Sequence, residues 1–273
     1  MPSYVITGVS KGLGYELLRQ LSQDPNDIVI GLVRDKPTTV KKISEDSTLN
    51  GRSNFHILQA DLIDYDSLKA SAAEAARITG GSLDYLIGNA GYVSQFDSYE
   101  PLSVLGTQPK RLEDDLNKLI NVHVTGNIHL INLFMPLILK GQKKKVIIFS
   151  SGLADEELTR KHDIDLSALY SISKAASNMA VAKFSALYRK DGVLFLSISP
   201  GIVEVGHYTN TAPEDMEKLQ AGFAKFLEYA PHFAGPETPE SSIKKTRSVW
   251  ENASVEKGDG GAFVSHFGNK QWL

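Results

Sequence analysis

The stretch "YVITGVSKGLGYELLRQLS", Tyr4 to Ser22, decides the architecture. "YVIT" is β-branched and aromatic and reads as a strand, whereas "YELLRQLS" spaces its leucines as a helix does. Between them lies "TGVSKGLG", with glycines at 8, 12 and 14. Such a turn lets backbone approach a pyrophosphate closely, and the amides and positive dipole at the start of the helix stabilise its charge. A glycine triplet alone carries little weight. Set between a strand and a helix, it specifies a dinucleotide turn.

Outward from this unit, short apolar runs alternate with longer segments of helical period. The runs are "DIVIGLV" (Asp27 to Val33), "NFHILQA" (Asn54 to Ala60), "LDYLIGNA" (Leu83 to Ala90), "KKVIIFS" (Lys144 to Ser150) and "VLFLSIS" (Val193 to Ser199). Strands so uniformly apolar are buried on both faces, which requires a parallel sheet between helices. The closing "GGAFVSHFGNKQWL" supplies a seventh strand, roughly Ala262 to Ser265, and a tail. The fold class is therefore α/β: a single doubly wound, Rossmann-type parallel sheet of about seven strands flanked by helices, with ligands beyond the carboxyl ends of the strands. The Pro- and Glu-rich "HFAGPETPES", His232 to Ser241, is too short to divide domains, so residues 1–273 form one dinucleotide-binding domain.

Composition narrows the function. With 29 basic against 32 acidic residues, a formal charge of -3 exerts no global pull toward nucleic acid or an anionic membrane. The basic run "KGQKKKV", Lys140 to Val146, reads as a solvated loop before a buried strand. Cysteine is absent, which excludes disulfides, thiolate metal sites and thiol catalysis. No apolar run approaches the ~18 residues of a membrane helix, and the first residues read as a core strand, so a cytoplasmic protein is expected. The seven histidines show no metal-ligand spacing, and no metal is expected. His162 and His207 stand where they would border a substrate or lie on the surface, and both readings stay open.

Thr-Gly-x3-Gly-x-Gly differs by one residue from the usual dinucleotide fingerprint and resembles the short-chain dehydrogenase/reductase family. The resemblance runs from Tyr4 to about Val264 and is nearest in general character to fungal short-chain reductases of secondary metabolism. It implies that Thr7, Gly8, Ser10, Lys11, Gly12, Leu13 and Gly14 hold the cofactor. In "GLVRD", Val33 takes the place of the acid that would bind an NAD ribose, Arg34 follows, and Lys11 adds a second cation. This points to NADP(H), because arginine pairs with a 2'-phosphate. A shift of one residue would bring Asp35 to the ribose and favour NAD(H). By the same resemblance, Asp61 and Leu62 contact the adenine. "GNAG" supplies Asn89, Ala90 and Gly91, with Gly88 in place of an asparagine and one structural hydrogen bond in question. Pro200, Gly201 and Val203 flank the nicotinamide carboxamide. Val205 stands where the family usually has threonine, for which Thr209 or Thr211 would substitute.

Two tyrosines have a lysine four residues on, Tyr65 with Lys69 and Tyr170 with Lys174. Only the second follows a serine-bearing strand end. The family order of Asn, Ser and Tyr-x3-Lys is met by Asn121, Ser151, Tyr170 and Lys174, with Ser150 as the alternative serine. A phenol with a pKa near ~10 is a poor acid at neutral pH, and an ammonium one turn away favours the phenolate. The resemblance then implies that Tyr170 protonates a carbonyl oxygen as hydride arrives, that Ser151 hydrogen-bonds the same oxygen, and that Asn121 positions a water relaying protons to Lys174. A charged insert, "DEELTRKHDID", precedes Tyr170, and a helical lid at about 205–240 carries Tyr208, Phe223, Phe226, Tyr229 and Phe233. Each aromatic residue either lines the pocket or only packs the lid. The expected activity is NADPH-dependent reduction of a ketone, quinone or imine of a small, fairly apolar molecule, or the reverse oxidation of an alcohol. A cofactor-retaining cyclase, isomerase or lyase and a non-catalytic NADP-binding protein are the alternatives. Members of the family commonly pair through helices that fall here near 117–139 and 166–190, which implies a homodimer or homotetramer.

Overall fold

The computed structural model describes residues 1–206 and 211–273, and its backbone runs as one βα alternation. The strands are β1 (Ser3–Thr7), β2 (Ile28–Val33), β3 (Phe55–Gln59), β4 (Tyr85–Gly88), β5 (Lys145–Phe149), β6 (Leu194–Ser199) and β7 (Ala262–Ser265). The helices are α1 (Gly12–Leu21), α2 (Lys36–Glu45), α3 (Tyr65–Thr79), the short α4 (Leu102–Leu105), α5 (Pro109–Ile120), α6 (Gly126–Ile138), α7 (Glu156–Lys161), α8 (Ala168–Tyr188), α9 (Pro213–Tyr229) and α10 (Pro239–Asn252). All seven strands are parallel, in the order β3-β2-β1-β4-β5-β6-β7. Successive side chains of a strand face opposite ways, so Tyr4 and Ile6 enter one core with Leu17 and Leu18 of α1 and Trp250 of α10. Val5 enters the other, with Leu68 of α3, Phe134 of α6 and Val181 of α8. Full burial of each such leucine contributes roughly 1.5–3 kcal/mol.

This order places the functional crevice. The chain leaves β1 toward β2 and β3, then crosses to β4 on the other flank of β1, so helices depart to opposite faces between β1 and β4. The carboxyl ends of these two strands therefore face open space.

Three features differ from the sequence reading. Residues 109–138 form one continuous helical rod whose middle, Asn121–Thr125, is a π-helical turn. The basic run is not wholly solvated: Lys145 is buried and its ammonium donates to the carbonyls of Trp250 (2.7 Å), Glu251 (3.0 Å) and Ala253 (2.8 Å). A cation there satisfies the orphan carbonyls at the end of α10. The charged insert forms α7 and buries Leu158 and Ile164 in a small core with Trp272 of the tail.

Candidate active site

The glycine turn is built by backbone geometry. Gly8 and Gly12 have φ of 77° and 57°, and a Cβ on Gly14 would stand 2.1 Å from the Gly8 carbonyl oxygen. Lys11 at the N-cap of α1 makes no side-chain cap, and the first turn holds no acidic residue. The amides at the start of α1 are left for an anion, which is the fit a pyrophosphate requires. Asn89 Nδ2 donates to the carbonyls of Thr7 (3.0 Å) and Gly8 (3.4 Å), while Thr7 Oγ1 accepts from the amides of Asn89 and Ala90, both at 3.0 Å. These bonds tie the end of β4 to the turn. A Cβ on Gly88 would come within 2.8 Å of Asn127 Oδ1, and Asn127 Nδ2 donates to the His123 carbonyl at 2.8 Å. The small residue at 88 thus makes room for an asparagine reaching in from α6.

At the end of β2, Arg34 and Lys11 are exposed. Asp35 caps α2, accepting from Thr38 N at 3.0 Å, and that hydrogen bond holds its carboxyl below the usual range. A third cation joins the group: Lys42 Nζ donates to the Ser10 carbonyl at 3.1 Å and sits 4.1 Å from the centroid of the Tyr15 ring. In sequence Lys42 is one of several lysines on a polar helix, and only the packing of α2 singles it out. Asp61 turns its carboxylate back to accept from Ile63 N at 3.2 Å. Leu62 is buried, with its Cβ 2.9 Å from the point a Cβ on Gly126 would occupy.

The candidate catalytic side is assembled from β5, the π turn and α8. Lys174 is buried and donates to the Phe149 carbonyl at 2.8 Å, with its ammonium 5.7 Å from the Tyr170 ring centroid. Burial pushes its pKa down to about 8. A Cβ on Gly91 would lie 3.2 Å from His123 Nε2 and 3.8 Å from Lys174 Nζ, so that glycine keeps the space beside both. Ser150 and Ser151 both line the cleft: Ser151 is half-buried, its hydroxyl accepting from Leu153 N at 3.3 Å, whereas Ser150 Oγ is buried with no hydrogen-bond partner among the described residues. Accessibility favours Ser151.

Asn121 is not brought to the site. Its side chain is exposed, and the polar residue that the π turn directs inward is His123, fully buried. His123 Nε2 accepts from Tyr92 N at 3.0 Å, Nδ1 pairs with Ser173 Oγ at 2.8 Å, and Ser173 Oγ donates to the Tyr170 carbonyl at 2.7 Å. The two rings meet edge to face at 5.5 Å. Burial, and then the charge of Lys174, push the His123 pKa down to about 2, so the imidazole is neutral. The inserted residue of a π turn changes which side chains face inward, a phase that helical periodicity alone does not carry.

Beyond β6, Gly201 has φ of 82°, and a Cβ there would meet His266 Cε1 at 2.8 Å. The Ile202–Glu204 segment is fastened to Glu237 by paired backbone bonds of 2.8 and 2.9 Å. Val205 Cγ1 is 3.4 Å from where a Cβ on Gly12 would be, so Val205 lies over the glycine turn. Thr211 is at hydrogen-bond distance, 3.2 Å, from Tyr99 Oη on the lid side. Thr209, His207 and Tyr208 lie outside the described residues.

Comparison with known proteins shows the family. The model of the short chain dehydrogenase family matches residues 3–216. The chain is a short-chain dehydrogenase/reductase. Relatives include the short chain dehydrogenase virK of Hypocrea virens, 57% identical over the full length of both chains. The short-chain dehydrogenase/reductase iacC of Pestalotiopsis fici is 51% identical, again over the full length of both. Among solved structures, the NADPH-bound carbonyl reductase from chicken fatty liver has a TM-score of 0.77 at 21% identity, covering 98% of each chain, a likeness of fold.

In this dehydrogenase a cavity of about 250 Å³ joins Leu13 of the glycine turn, Ser151, Tyr170 and Pro200–Val203. The loop after β4 contributes Ser94, Gln95 and Ser98, whereas α7, the lid helix α9 and the tail contribute Leu158, Leu219, Phe223, Phe226 and Trp272. Of the expected lid aromatics, Phe223 and Phe226 line the cavity, Phe233 stacks behind Phe223 (6.4 Å between centroids), and Tyr229 Oη accepts from Trp272 N at 3.0 Å. His162 meets Tyr229 edge to face at 5.1 Å. The lid is latched to the body by Lys218–Glu100 and Lys225–Asp165, each at 2.5 Å. Trp272 had no sequence signal. It stacks on Phe263 at 4.4 Å and fits only because residue 152 is glycine, whose Cβ would lie 2.8 Å from the tryptophan's own.

Proposed function

We propose that this dehydrogenase reduces a ketone, quinone or imine of a small, fairly apolar molecule with NADPH, Tyr170 acting as general acid. The observation that carries this is the meeting, in one cleft, of the Tyr170 and Ser151 side chains with the glycine turn and the Pro200–Val203 segment, above a buried Lys174. When bound, the cofactor supplies hydride. Ser151 donates a hydrogen bond to the carbonyl oxygen (the nitrogen in an imine), Tyr170 delivers its proton to that same atom, and the Lys174 ammonium stabilises the charge left on the phenol oxygen. Neutral His123 holds the Tyr170 carbonyl through Ser173. With Asn121 facing solvent, no step is assigned to its side chain. NADP(H) rather than NAD(H) is supported by Arg34, Lys11 and Lys42 together and by the use of Asp35 as a helix cap. The predominance of apolar and aromatic side chains on the lid side of the cavity supports a bulky, weakly polar substrate. Self-association is part of the proposal, because α8 leaves Ile172, Met179 and Leu187 exposed, and light scattering tests it. The deciding assay is NADPH consumption across a panel of aryl ketones, alkyl ketones and quinones. Stoichiometric oxidation that vanishes in Tyr170→Phe supports the reading, and product formation without net NADPH loss overturns it.

A further inference from the structure

The catalytic helix begins in an unusual way. Ser167, at the N-cap of α8, is in the left-handed region (φ 52°, ψ 42°) and makes no side-chain cap. Its hydroxyl donates instead to the Ser98 carbonyl at 3.1 Å. The first-turn amides are satisfied from far away in sequence: Leu169 N donates to Asp97 Oδ1 at 2.8 Å and Tyr170 N to Asp97 Oδ2 at 2.7 Å. An N-cap ordinarily comes from the residue just before the helix. Here it comes from the loop after β4, and its charge sits at the positive end of the helix dipole. Asp97 is 1% exposed. Burial pushes its carboxyl up, and the two amide bonds oppose that shift.

The same loop lines the cavity through Ser94, Gln95, Ser98 and Asp97 itself, whose two carboxylate oxygens are both engaged by the amides of α8. Phe96, next to Asp97, packs with Leu169, Leu105 and Leu119, and Tyr170 lies against this cluster. The loop is thus held to α8 by apolar packing and, separately, by two charge-assisted hydrogen bonds. One of those bonds ends on the backbone of the proposed acid itself.

We propose that Asp97 is a positioning residue for Tyr170: its buried carboxylate fixes the first turn of α8, and through it the phenol, to the loop that receives the substrate. This rests on the reading of Tyr170 as the acid. Asparagine at 97 keeps one acceptor oxygen but turns an NH2 toward the second amide, leaving one N–H unmet.

The test compares wild type, Asp97→Asn and Tyr170→Phe by amide exchange, NADPH titration and steady-state kinetics. In Asp97→Asn, kcat should fall on the order of tenfold to a hundredfold, the range produced by misplacing a reacting group by about 1 Å. Substrate KM and the NADPH Kd should stay within about twofold of wild type, and exchange should quicken at 169 and 170 but not in the last turns of α8. Unchanged kcat, or a loss of kcat matched by an equal loss of NADPH-binding stoichiometry, overturns the proposal. If the variant is insoluble, the wild type decides: protection of amides 169 and 170 equal to mid-helix supports the cap, and fraying overturns it. Should Tyr170→Phe keep its activity, the reading of the acid fails, while the exchange result still reports on the cap.

Discussion

Helices α1 and α8 both begin at the cleft, and their first turns are completed in opposite ways. The amides of α1 meet no capping side chain and no acidic residue, so their partial positive charge is available to a ligand. Those of α8 are closed by the carboxylate of Asp97, 1% exposed. The same electrostatics can thus serve two ends: an open terminus leaves its amides for an anion, and a closed one binds a carboxylate of the protein itself. Glycine separates the two cases locally, because only a turn without Cβ atoms at 8, 12 and 14 exposes the α1 amides at close range.

Four measurements would break or sharpen this contrast. The largest effect is expected at the closed end, where Tyr170→Phe should lower carbonyl reduction by about 10²–10⁴-fold with NADPH binding intact. Tyr65→Phe should leave turnover within about twofold, since Tyr65 is exposed and packs edge to face on His129. Equal loss in both would remove the distinction between the two tyrosine–lysine pairs. Next comes the open end. In Gly14→Ala the new methyl would meet the Gly8 carbonyl, so calorimetry should show NADPH binding weakened at least tenfold and stability lower by ~1–3 kcal/mol; binding at wild-type strength would mean that the turn does not hold the phosphates.

A smaller effect is expected from the cations beside that turn. Arg34→Ala should raise the NADPH Kd about tenfold and Lys42→Ala about threefold, in line with ~1.5–3 kcal/mol or less for a charge-assisted bond, with NADH binding unaltered. Equal weakening for both nucleotides would show that neither cation reads the 2'-phosphate. The smallest concerns Lys174. With its pKa lowered from 10.5 to about 8, the buried ammonium costs stability below pH 8, and that cost is relieved between about pH 8 and 10.5 as the folded protein gives up the proton first. Thermal unfolding should therefore show wild type gaining on Lys174→Met as pH rises through that window. The opposite slope would mean that Lys174 is not buried as a cation.

Much of the fold was legible because its signals are local. The seven apolar runs became the seven strands with ends displaced by a residue or two, and Ala262 to Ser265 needed no adjustment. The glycine turn and the pairing of Tyr170 with Lys174 were legible for the same reason, since a helix brings side chains four apart onto one face whatever surrounds it. His123 was not, because "NVHVT" read with ordinary helical phase gives no sign that a π turn sends the histidine inward and the asparagine outward. Lys42 and Trp272 were indistinguishable from surface residues until α2 and the tail were packed.

By itself, then, the amino-acid sequence determined the βα alternation, the parallel sheet, the glycine turn and the tyrosine–lysine pair, all set by hydrophobic periodicity and short spacings along one chain segment. Tertiary structure alone decided that Ser151 is half-buried while Ser150 is buried, that His123 rather than Asn121 lies beside Lys174, and that a carboxylate 72 residues away from Leu169 closes the first turn of α8. The physical reason is that burial and hydrogen-bond partnership depend on which distant segments pack together, and the sheet order β3-β2-β1-β4-β5-β6-β7 brings the loop after β4 against the start of α8.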